Sequence, residues 1–338
     1  MRVKKVLSKI WLSFLLLSLT YVAGVTASAA EEQAAGEIST VKEDLESMGM
    51  FYGEYKDCAY TYINGGKEVQ IVDVLKEEGD VKIPDTIDGK KVTTIDWNFY
   101  VSHKNLRSIT LSKNIKKLGD NFIYYRKYSK ILVKEYRVVG SNPKFKAKGG
   151  VIFSKKGKTL VTFPVNKKKS VYRIPKGVKK IGAYAFSYAD KLSKVVMPDS
   201  VTEIGKGAFL FANVKGIDLS NKLKKVGEGA FRETHISELI IPSNLKKIPH
   251  DMCSYNSKLK KVVIRQGVKE IGAGAFFICR SLRKIEIPPS VKKMDESAFM
   301  WYTDGSEKIN LTIYAKKGST AYKCAKNWKH YGIKVKAI

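Results

Sequence analysis

Apolar and polar positions recur along the chain in a nine-residue pattern that returns every 22 or 23 residues. The copy "VKKIGAYAF", Val178–Phe186, returns as "VTEIGKGAF", "LKKVGEGAF", "LKKIPHDMC", "VKEIGAGAF" and "VKKMDESAF". The aligned residues after the second apolar position, at spacings of 23, 22, 22, 23 and 23, are Gly182, Gly205, Gly227, Pro249, Gly272 and Asp295. One such unit cannot bury its own apolar face, so the period predicts a solenoid of stacked units.

The segment "LKKVVIRQGVKEIGAGAFFICRS", Leu259–Ser281, shows how one unit folds. Leu259, Val262 and Ile264 are expected to point inward and Val263 outward, because side chains alternate along a strand. "RQG" predicts a turn, "VKEI" a second short strand, Gly272 a tight corner, and "AGAFFIC" one turn of helix. The aromatic residues of successive units predict a stacked column of Phe186, Phe209, Phe231, Phe276 and Phe299.

The remaining segments define the predicted ends of the solenoid. "VIFS" and "TLVTF", joined by "KKGK", predict a hairpin within an irregular insert at about residues 123–170. "STAYKCAKNWKHYG" predicts a Ser-capped helix that ends at Gly332, followed by a final strand. We therefore expect an N-terminal cap over 48–80, a solenoid over 81–308 and a C-terminal cap over 309–338.

The N-terminus has the pattern of a secretory signal peptide. "MRVKK" is a positive region, "IWLSFLLLSLTYVAGV" is apolar, and "TASAA" offers small residues for cleavage, so residues 1–30 are the predicted signal peptide. An uncleaved membrane anchor is the alternative that we rank lower, because the apolar run is short for a span. Residues 31–47 predict a flexible acidic tail.

Charge is the unusual feature of the composition. The 338 residues include 62 Lys and Arg against 32 Asp and Glu, which gives a net charge of +30. In each "V-x-x-I" segment two residues lie between inward anchors, and stacking predicts a lysine ladder of Lys116, Lys117, Lys179, Lys180, Lys224, Lys225, Lys246, Lys247, Lys269, Lys292 and Lys293. The ladder suits an anionic glycan or cell-wall polymer; the alternative is a solvated face that keeps the protein soluble.

A second candidate surface is the outward side of the main strands, here called the strand face. Its predicted residues are Arg173, Val196, Asp218, Ile240, Val263 and Glu286, flanked by Lys194, Glu238, Lys261 and Lys284. Aliphatic side chains among charges suit a protein partner. The alternative is that Val and Ile occur there because they favour strands.

No catalytic or metal-binding motif stands out. The four histidines are scattered, and the cysteines Cys58, Cys253, Cys279 and Cys324 lack C-x-x-C spacing, so we expect no metal site, no cofactor and buried thiols. Further aromatic residues lie outside the regular repeats and serve either as interface anchors or to close the core: Tyr124, Tyr125, Tyr128, Tyr136, Trp301 and Tyr302.

The repeat consensus L-x-x-I-x-I-P-x-x-V-x-x-I-G-x-x-A-F-x-x-C resembles the BspA-type leucine-rich repeat of bacterial secreted and surface proteins. "SLRKIEIPPSVKKMDESAF" and "IGAGAFFICRSLRKIEIP" carry the resemblance most clearly, and it extends from about Tyr60 to the C-terminus. It implies a strand-dominated α/β solenoid, a right-handed superhelix of 22–23-residue units with terminal caps. It also implies a non-catalytic binding role, with no catalytic residues to assign.

We therefore expect a secreted, monomeric leucine-rich-repeat protein that binds an extracellular protein or glycan, as in adhesion at a bacterial or host surface. One alternative is a wall-associated structural protein held by its basic surface. Another is a hydrolase with an unrecognised site in the insert. Nucleic acid is disfavoured as a partner, because the predicted export and the preference for Lys over Arg argue against it.

Overall fold

The structure is a computed structural model that describes residues 53–96, 105–119, 132–300 and 309–338. The predicted signal peptide and acidic tail lie outside the described residues, as do Tyr124, Tyr125, Tyr128, Trp301 and Tyr302. In chain order the strands are β1 (Gly53–Tyr55), β2 (Cys58–Ile63), β3 (Glu68–Val74), β4 (Glu78–Lys82), β5 (Thr86–Ile87), β6 (Lys90–Ile95), β7 (Asn105–Leu111), β8 (Lys117–Leu118), β9 (Glu135–Val138), β10 (Phe145–Lys148), β11 (Val151–Ser154), β12 (Thr159–Thr162), β13 (Val171–Arg173), β14 (Lys180–Ile181), β15 (Lys194–Val196), β16 (Glu203–Ile204), β17 (Gly216–Asp218), β18 (Lys225–Val226), β19 (Glu238–Ile241), β20 (Lys247–Ile248), β21 (Lys261–Ile264), β22 (Glu270–Ile271), β23 (Lys284–Ile287), β24 (Lys293–Met294), β25 (Thr312–Ala315) and β26 (Lys334–Ala337).

The repeats fold into a strand-dominated solenoid whose coils contribute one strand to each of two sheets. The front sheet consists of the strands in the order β13-β15-β17, followed by β19-β21-β23-β25-β26, all parallel. The back sheet contains the shorter strands β12-β14-β16-β18, followed by β20-β22-β24, again parallel. The predicted alternation is confirmed, because Leu259, Val262 and Ile264 are buried whereas Val263 is partly exposed.

The third side of each coil consists of tight turns, where the sequence predicted one turn of helix. Its backbone bonds to the next coil: Phe186 N donates to Ala208 O at 2.7 Å, and Phe209 N donates to Ala230 O at 2.8 Å. Positive-φ residues recur there, such as Tyr188 and Ile278, with φ near 54°. Hydrogen bonds to the next coil thus alternate with bonds within the turn, such as that from Leu210 N to Gly207 O at 2.9 Å. Among the described repeats, only Glu296–Phe299 forms a short 3₁₀ helix at this position.

The predicted phenylalanine column lies at the centre of the core. Phe186 and Phe209 stack with centroids 4.9 Å apart, Phe209 and Phe231 at 5.3 Å, and Phe276 and Phe299 at 5.4 Å. All five rings are fully buried. Cys253, also buried, occupies the position between Phe231 and Phe276, as its alignment with the aromatic position predicted.

Glycine occurs at the coil corners for a different reason from the conformational freedom that the sequence predicted. Gly272 does not adopt positive φ, and neither do Gly182, Gly205 and Gly227. A Cβ added to Gly227 would lie 2.3 Å from Lys206 N, and one on Gly205 would lie 2.5 Å from Ala183 N. Glycine is needed at these corners because the backbone of the preceding coil leaves no room for a side chain.

Both sheets are interrupted at the same coil boundary. No ladder pairing joins β17 to β19 or β18 to β20 among the described strands. The turn side stays bonded across this boundary, with Gly229 N donating to His250 O at 3.1 Å and Phe231 N to Met252 O at 2.8 Å. The two neighbouring coils therefore separate at their strands and remain joined at their turns.

The N-terminal part forms its own core cluster around Val69, Ile71 and Ile109. There β1, β2 and β3 pair antiparallel, β3 pairs β6 parallel, and the parallel strands β4-β7-β9 form a separate sheet. The predicted hairpin is present, because β11 pairs antiparallel with β12. Since β12 then pairs with β14, the hairpin continues directly into the back sheet.

The C-terminal end closes the solenoid as the sequence predicted. Helix α1 (Thr320–Asn327) begins after Ser319, whose Oγ accepts from Tyr322 N at 3.3 Å. A 3₁₀ turn, Trp328–Tyr331, follows the helix and ends at Gly332, whose φ is 89°. The last strand, β26, then pairs with β25. Trp328 is buried, with its ring centroid 6.4 Å from that of Phe299. The last phenylalanine of the column is thus covered by the cap.

Candidate functional site

The structure brings the predicted strand-face residues into one row across the front sheet. Arg173 pairs with Val196 and Val196 with Asp218; beyond the sheet interruption, Ile240 pairs with Val263 and Val263 with Glu286. Each lies on the outward side of its strand, fully or partly exposed. The row continues into the C-terminal cap through Tyr314 and Lys336. Sequence analysis missed these two residues because the repeat consensus ends before them.

The flanking row is charged and partly neutralised. Glu238 pairs with Lys261 and Lys261 with Lys284, and the row ends in Thr312 and Lys334. Lys194 Nζ lies 3.1 Å from a carboxylate oxygen of Asp218, and Lys261 Nζ lies 3.8 Å from one of Glu238. These ion pairs are exposed and fix side-chain positions more than they stabilise the fold.

A groove of about 660 Å³ opens on the strand face where β17 and β19 separate. Asp218 and Leu219 line one side of it, and Ile240 and Pro242 line the other. Leu219 and Val226, both in the coil before the interruption, are partly exposed, whereas Ile241 and Ile248, their equivalents in the next coil, are buried. Ile240 is 53% exposed. The interruption therefore leaves Leu219 partly exposed beside the front sheet and Val226 partly exposed on the back sheet.

Hydrogen bonds hold the two coils together at both ends of the groove. Ser237 N donates to Lys215 O at 3.4 Å before the strands, and Asn244 Nδ2 donates to Asn221 O at 2.7 Å in the turn after them. The lining is more polar than apolar: it combines charged side chains of both signs, Lys215, Asp218, Glu238 and Arg265, with the aliphatic side chains of Leu219 and Ile240. An apolar anchor with a polar rim is the usual form of a protein-binding site.

The predicted lysine ladder divides into two rows with different charge. The second row contains carboxylates: Lys180 Nζ lies 2.6 Å from Glu203, while Lys247 and Lys293 Nζ lie 2.9 and 3.6 Å from Glu270. The lysines of this row are Lys180, Lys225, Lys247 and Lys293. The Lys247 and Lys293 ammonium groups hold the pKa of Glu270 below its usual range, with the Lys247 hydrogen bond the larger cause. The second row thus has two carboxylates for its four lysines, so its charge is partly compensated.

The other row, here called the first lysine row, lacks such partners. It contains Lys158, Lys179, Lys224, Lys246, Lys269 and Lys292 on successive coils, with Thr202 between the second and third. All six lysines are exposed, and no described carboxylate lies within ion-pair distance of them. Lys158 was missed because it belongs to the hairpin. Lys116 and Lys117 belong to the N-terminal part, where Lys116 pairs with Glu68 at 3.1 Å.

The cysteines are placed as structural residues. Cys58, Cys253 and Cys279 are buried, Cys324 is partly exposed, and none of the four forms a disulfide among the described residues. Burial raises the pKa of Cys279 to about 12 and raises that of Cys253 well above its usual value. Among the described residues no group of three or more His, Cys, Asp or Glu is arranged to hold a metal ion. Within these same residues, no helix has the length and apolar character of a membrane span.

The histidines and the remaining aromatic residue also fit a structural role. His235 and His250 are exposed, and His250 Nδ1 lies 3.3 Å from Glu228 on the turn side. Tyr136 is buried in the N-terminal cluster, which confirms that it closes the core. The turn side also carries an apolar row that sequence analysis missed, formed by Tyr188, Phe211, Tyr255 and Ile278. Its sequence signal is a large apolar residue two positions after Phe186, Phe209, Cys253 and Phe276, which Glu233 interrupts after Phe231.

Comparisons with known proteins agree with this architecture. Six copies of the BspA-type leucine-rich-repeat region match residues 80–142 and 179–305, which is more than half of the chain. The chain belongs to the BspA-type leucine-rich-repeat family. That repeat is typical of bacterial surface or secreted proteins, and proteins of this family are in general non-enzymatic binding proteins. A search of curated proteins finds no significant match.

Solved structures show the same fold. A leucine-rich-repeat protein from Eubacterium ventriosum is 22% identical with a TM-score of 0.53, over 70% of this chain and 63% of that one. This chain therefore spans less than two thirds of that relative. The pneumococcal vaccine antigen PcpA is 16% identical with a TM-score of 0.51, over 85% of this chain and 98% of that one. At these identities the likeness concerns the fold alone.

Proposed function

We propose that this chain is a secreted, non-catalytic binding protein that holds an extracellular protein partner on its strand face, as an adhesin does. The observation that carries the proposal is the groove between β17 and β19, with Ile240 53% exposed beside it and charges of both signs around it. Export is supported by the N-terminal sequence pattern and by the usual location of BspA-type proteins. A monomer is sufficient for this role, because each row lies within one chain.

The groove favours a protein over a glycan as the partner on this surface. Among the described residues, its lining combines charges of both signs with the aliphatic side chains of Leu219 and Ile240, and it includes no aromatic side chain that could stack on a sugar ring. A partner that places an apolar side chain against Ile240 would bury it together with the partly exposed Leu219. Buried apolar anchors at the centre of an interface carry most of the binding energy.

The test uses two substitutions of the same kind at similarly exposed isoleucines. Residues 31–338 are tested for saturable binding to a panel of extracellular matrix proteins and bacterial surface proteins. Ile240→Asp should weaken the binding that is found by about 30-fold, since loss of an interface anchor costs about 2 kcal/mol. Ile338→Asp, at a residue that is 60% exposed near the C-terminus, is the matched control and should leave binding unchanged. Equal affinities of wild type and Ile240→Asp would contradict the proposed site.

The hydrolase alternative has its own test. The same protein is incubated with polysaccharide and peptide panels, and products are measured by mass spectrometry. We expect no turnover on either panel. Turnover that is lost on substitution of a carboxylate in residues 132–170 would replace the binding proposal with an enzyme.

A further inference from the structure

The back sheet carries a second surface that the strand-face proposal does not use. It is the first lysine row, Lys158, Lys179, Lys224, Lys246, Lys269 and Lys292, which follows the direction in which coils stack. Backbone bonds fix the neighbours: Lys269 N donates to Lys246 O at 2.8 Å, and Lys292 N donates to Lys269 O at 2.8 Å. The positions of these neighbouring lysines are therefore fixed by main-chain hydrogen bonds between coils.

The first lysine row contains no carboxylate, whereas the adjacent row contains two glutamates among four lysines. Glu203 and Glu270 stand in the second row and pair with Lys180, Lys247 and Lys293. No equivalent carboxylate stands in the first lysine row, whose only non-lysine position between Lys158 and Lys292 is Thr202. The two rows thus differ in charge although they lie side by side on the same strands.

The spacing of the row makes its charges act together. Neighbouring strands lie about 4.8 Å apart, which is shorter than the Debye length of about 8 Å at physiological salt. Lysines on adjacent coils, such as Lys246, Lys269 and Lys292, therefore lie within each other's field, whereas Lys179 and Lys224 stand two coils apart on either side of Thr202. A linear chain of negative charges along the row would meet a positive charge at nearly every coil. A small anion would meet only one or two of them.

We propose that the first lysine row binds a linear anionic polysaccharide, with sulfate or phosphate groups along its length, parallel to the solenoid axis. Lysine supplies compact point charges without the fork geometry of arginine, so the site should recognise the spacing of charges more than the shape of each group. Sulfated and phosphate-bearing polymers share this chemistry. The row spans about 30 Å at about 4.8 Å per coil, which sets the length of polymer that it can hold.

The test compares two triple variants with the same net charge. One carries Lys246→Gln, Lys269→Gln and Lys292→Gln in the first lysine row. The control carries Lys261→Gln, Lys284→Gln and Lys334→Gln, which removes three exposed lysines from the front sheet. The probes are size-fractionated heparin and poly(glycerol phosphate), with binding measured over a range of salt concentrations. Circular dichroism and thermal unfolding establish that both variants are folded.

We expect wild type to bind both probes, with affinity that rises with oligomer length and levels off near 30 Å, about the span of the row. The first-row triple should lose at least about tenfold in affinity, and its salt slope should fall by about 2, since each lost contact removes about 0.7. The control triple should change affinity by less than about threefold, since it keeps every first-row charge.

Three results would overturn the inference. Equal losses in the two triples would show that net charge alone drives binding. Absence of binding by wild type at low salt would show that the row holds no polyanion. Tighter binding of single-stranded DNA than of heparin or poly(glycerol phosphate), at equal charge and salt, would assign the row to a nucleic acid. None of these results bears on the strand face, whose test uses Ile240 and a protein partner.

Discussion

The rings of Phe186 and Phe209 lie parallel to within 3°, with their centroids 4.9 Å apart, although 23 residues separate them in the chain. This contact repeats at Phe209 and Phe231 with an angle of 20°. Each ring is packed between neighbouring coils, so every coil depends on the ones beside it. The stability of the solenoid is therefore shared between adjacent repeats.

Truncation of one ring in this column should be strongly destabilising. We expect Phe209→Ala to lower the free energy of unfolding by about 3–5 kcal/mol, because it leaves a large cavity in a closed core. Urea unfolding curves, monitored by circular dichroism, measure this loss of unfolding free energy. Phe211→Ala removes the same ring from the partly exposed row on the turn side and should cost clearly less. Equal losses at the two positions would show that the column does not hold the coils together.

The corner glycines give a second prediction. Gly227→Ala should destabilise the protein by more than about 1 kcal/mol, because the new methyl group would lie 2.3 Å from the backbone nitrogen of Lys206 and the coils must move apart. Gly216→Ala is the control, since nothing lies within 4 Å of its added Cβ and its φ is not positive. There we expect unchanged or slightly higher stability, because alanine restricts the unfolded chain. Thermal unfolding measures the stability of both variants. Unchanged stability of Gly227→Ala would contradict the close approach of the Gly227 and Lys206 backbones.

The thiols should differ sharply in reactivity. Cys58, Cys253 and Cys279 are buried, and burial raises the pKa of Cys279 to about 12, so little thiolate forms at neutral pH. Cys324 is partly exposed, with a pKa that burial also raises. Iodoacetamide should therefore label Cys324 slowly, faster as pH rises, and the other three only in denaturant. Mass spectrometry of the peptides measures the labelling of each cysteine. Rapid labelling of Cys253 in the folded protein would be inconsistent with its buried place in the column.

The Glu270 carboxylate provides a pH-dependent prediction. Its pKa in the folded state is lowered by Lys247 and then by Lys293, so its ion pairs are complete above the unfolded value of about 4.3. Their contribution is lost as pH falls through the folded pKa. In Lys247→Gln the pKa of Glu270 should rise toward its ordinary value, as a carboxyl NMR titration would show. Lys225→Gln, on a coil not paired with Glu270, should leave it unchanged.

Much of the fold follows from local sequence because each coil repeats the same pattern. The buried positions of Leu259, Val262 and Ile264 follow from alternation along a strand, and Phe276 follows from its place in the repeat. Ser319 and Gly332 mark the ends of the C-terminal helical segment through capping chemistry that acts within a few residues. These features depend on neighbours in the chain, which the sequence shows directly.

Features that arise between coils were harder to foresee. The segment "AGAFFIC" predicted one turn of helix, yet alternate amide groups there, such as those of Phe276 and Ile278, bond to the next coil. The separation of β17 from β19 was not predicted, although the two 22-residue spacings flank it and Pro249 stands in place of the corner glycine in the next coil. The difference in charge between the two lysine rows was recognised from the strand register. That register pairs Lys247 with Glu270 and Glu270 with Lys293.

The salt dependence of partner binding tests the central claim most directly. Residues 31–338, the Ile240→Asp variant and the first-row triple variant are each bound to immobilised matrix proteins and to purified Gram-positive cell walls, at low and at high salt. A strand-face site predicts that at least one protein binds saturably, stays bound at high salt, and is lost in Ile240→Asp while the triple variant retains it. Binding to cell walls alone, which disappears at high salt and is unaffected by Ile240→Asp, would contradict the claim.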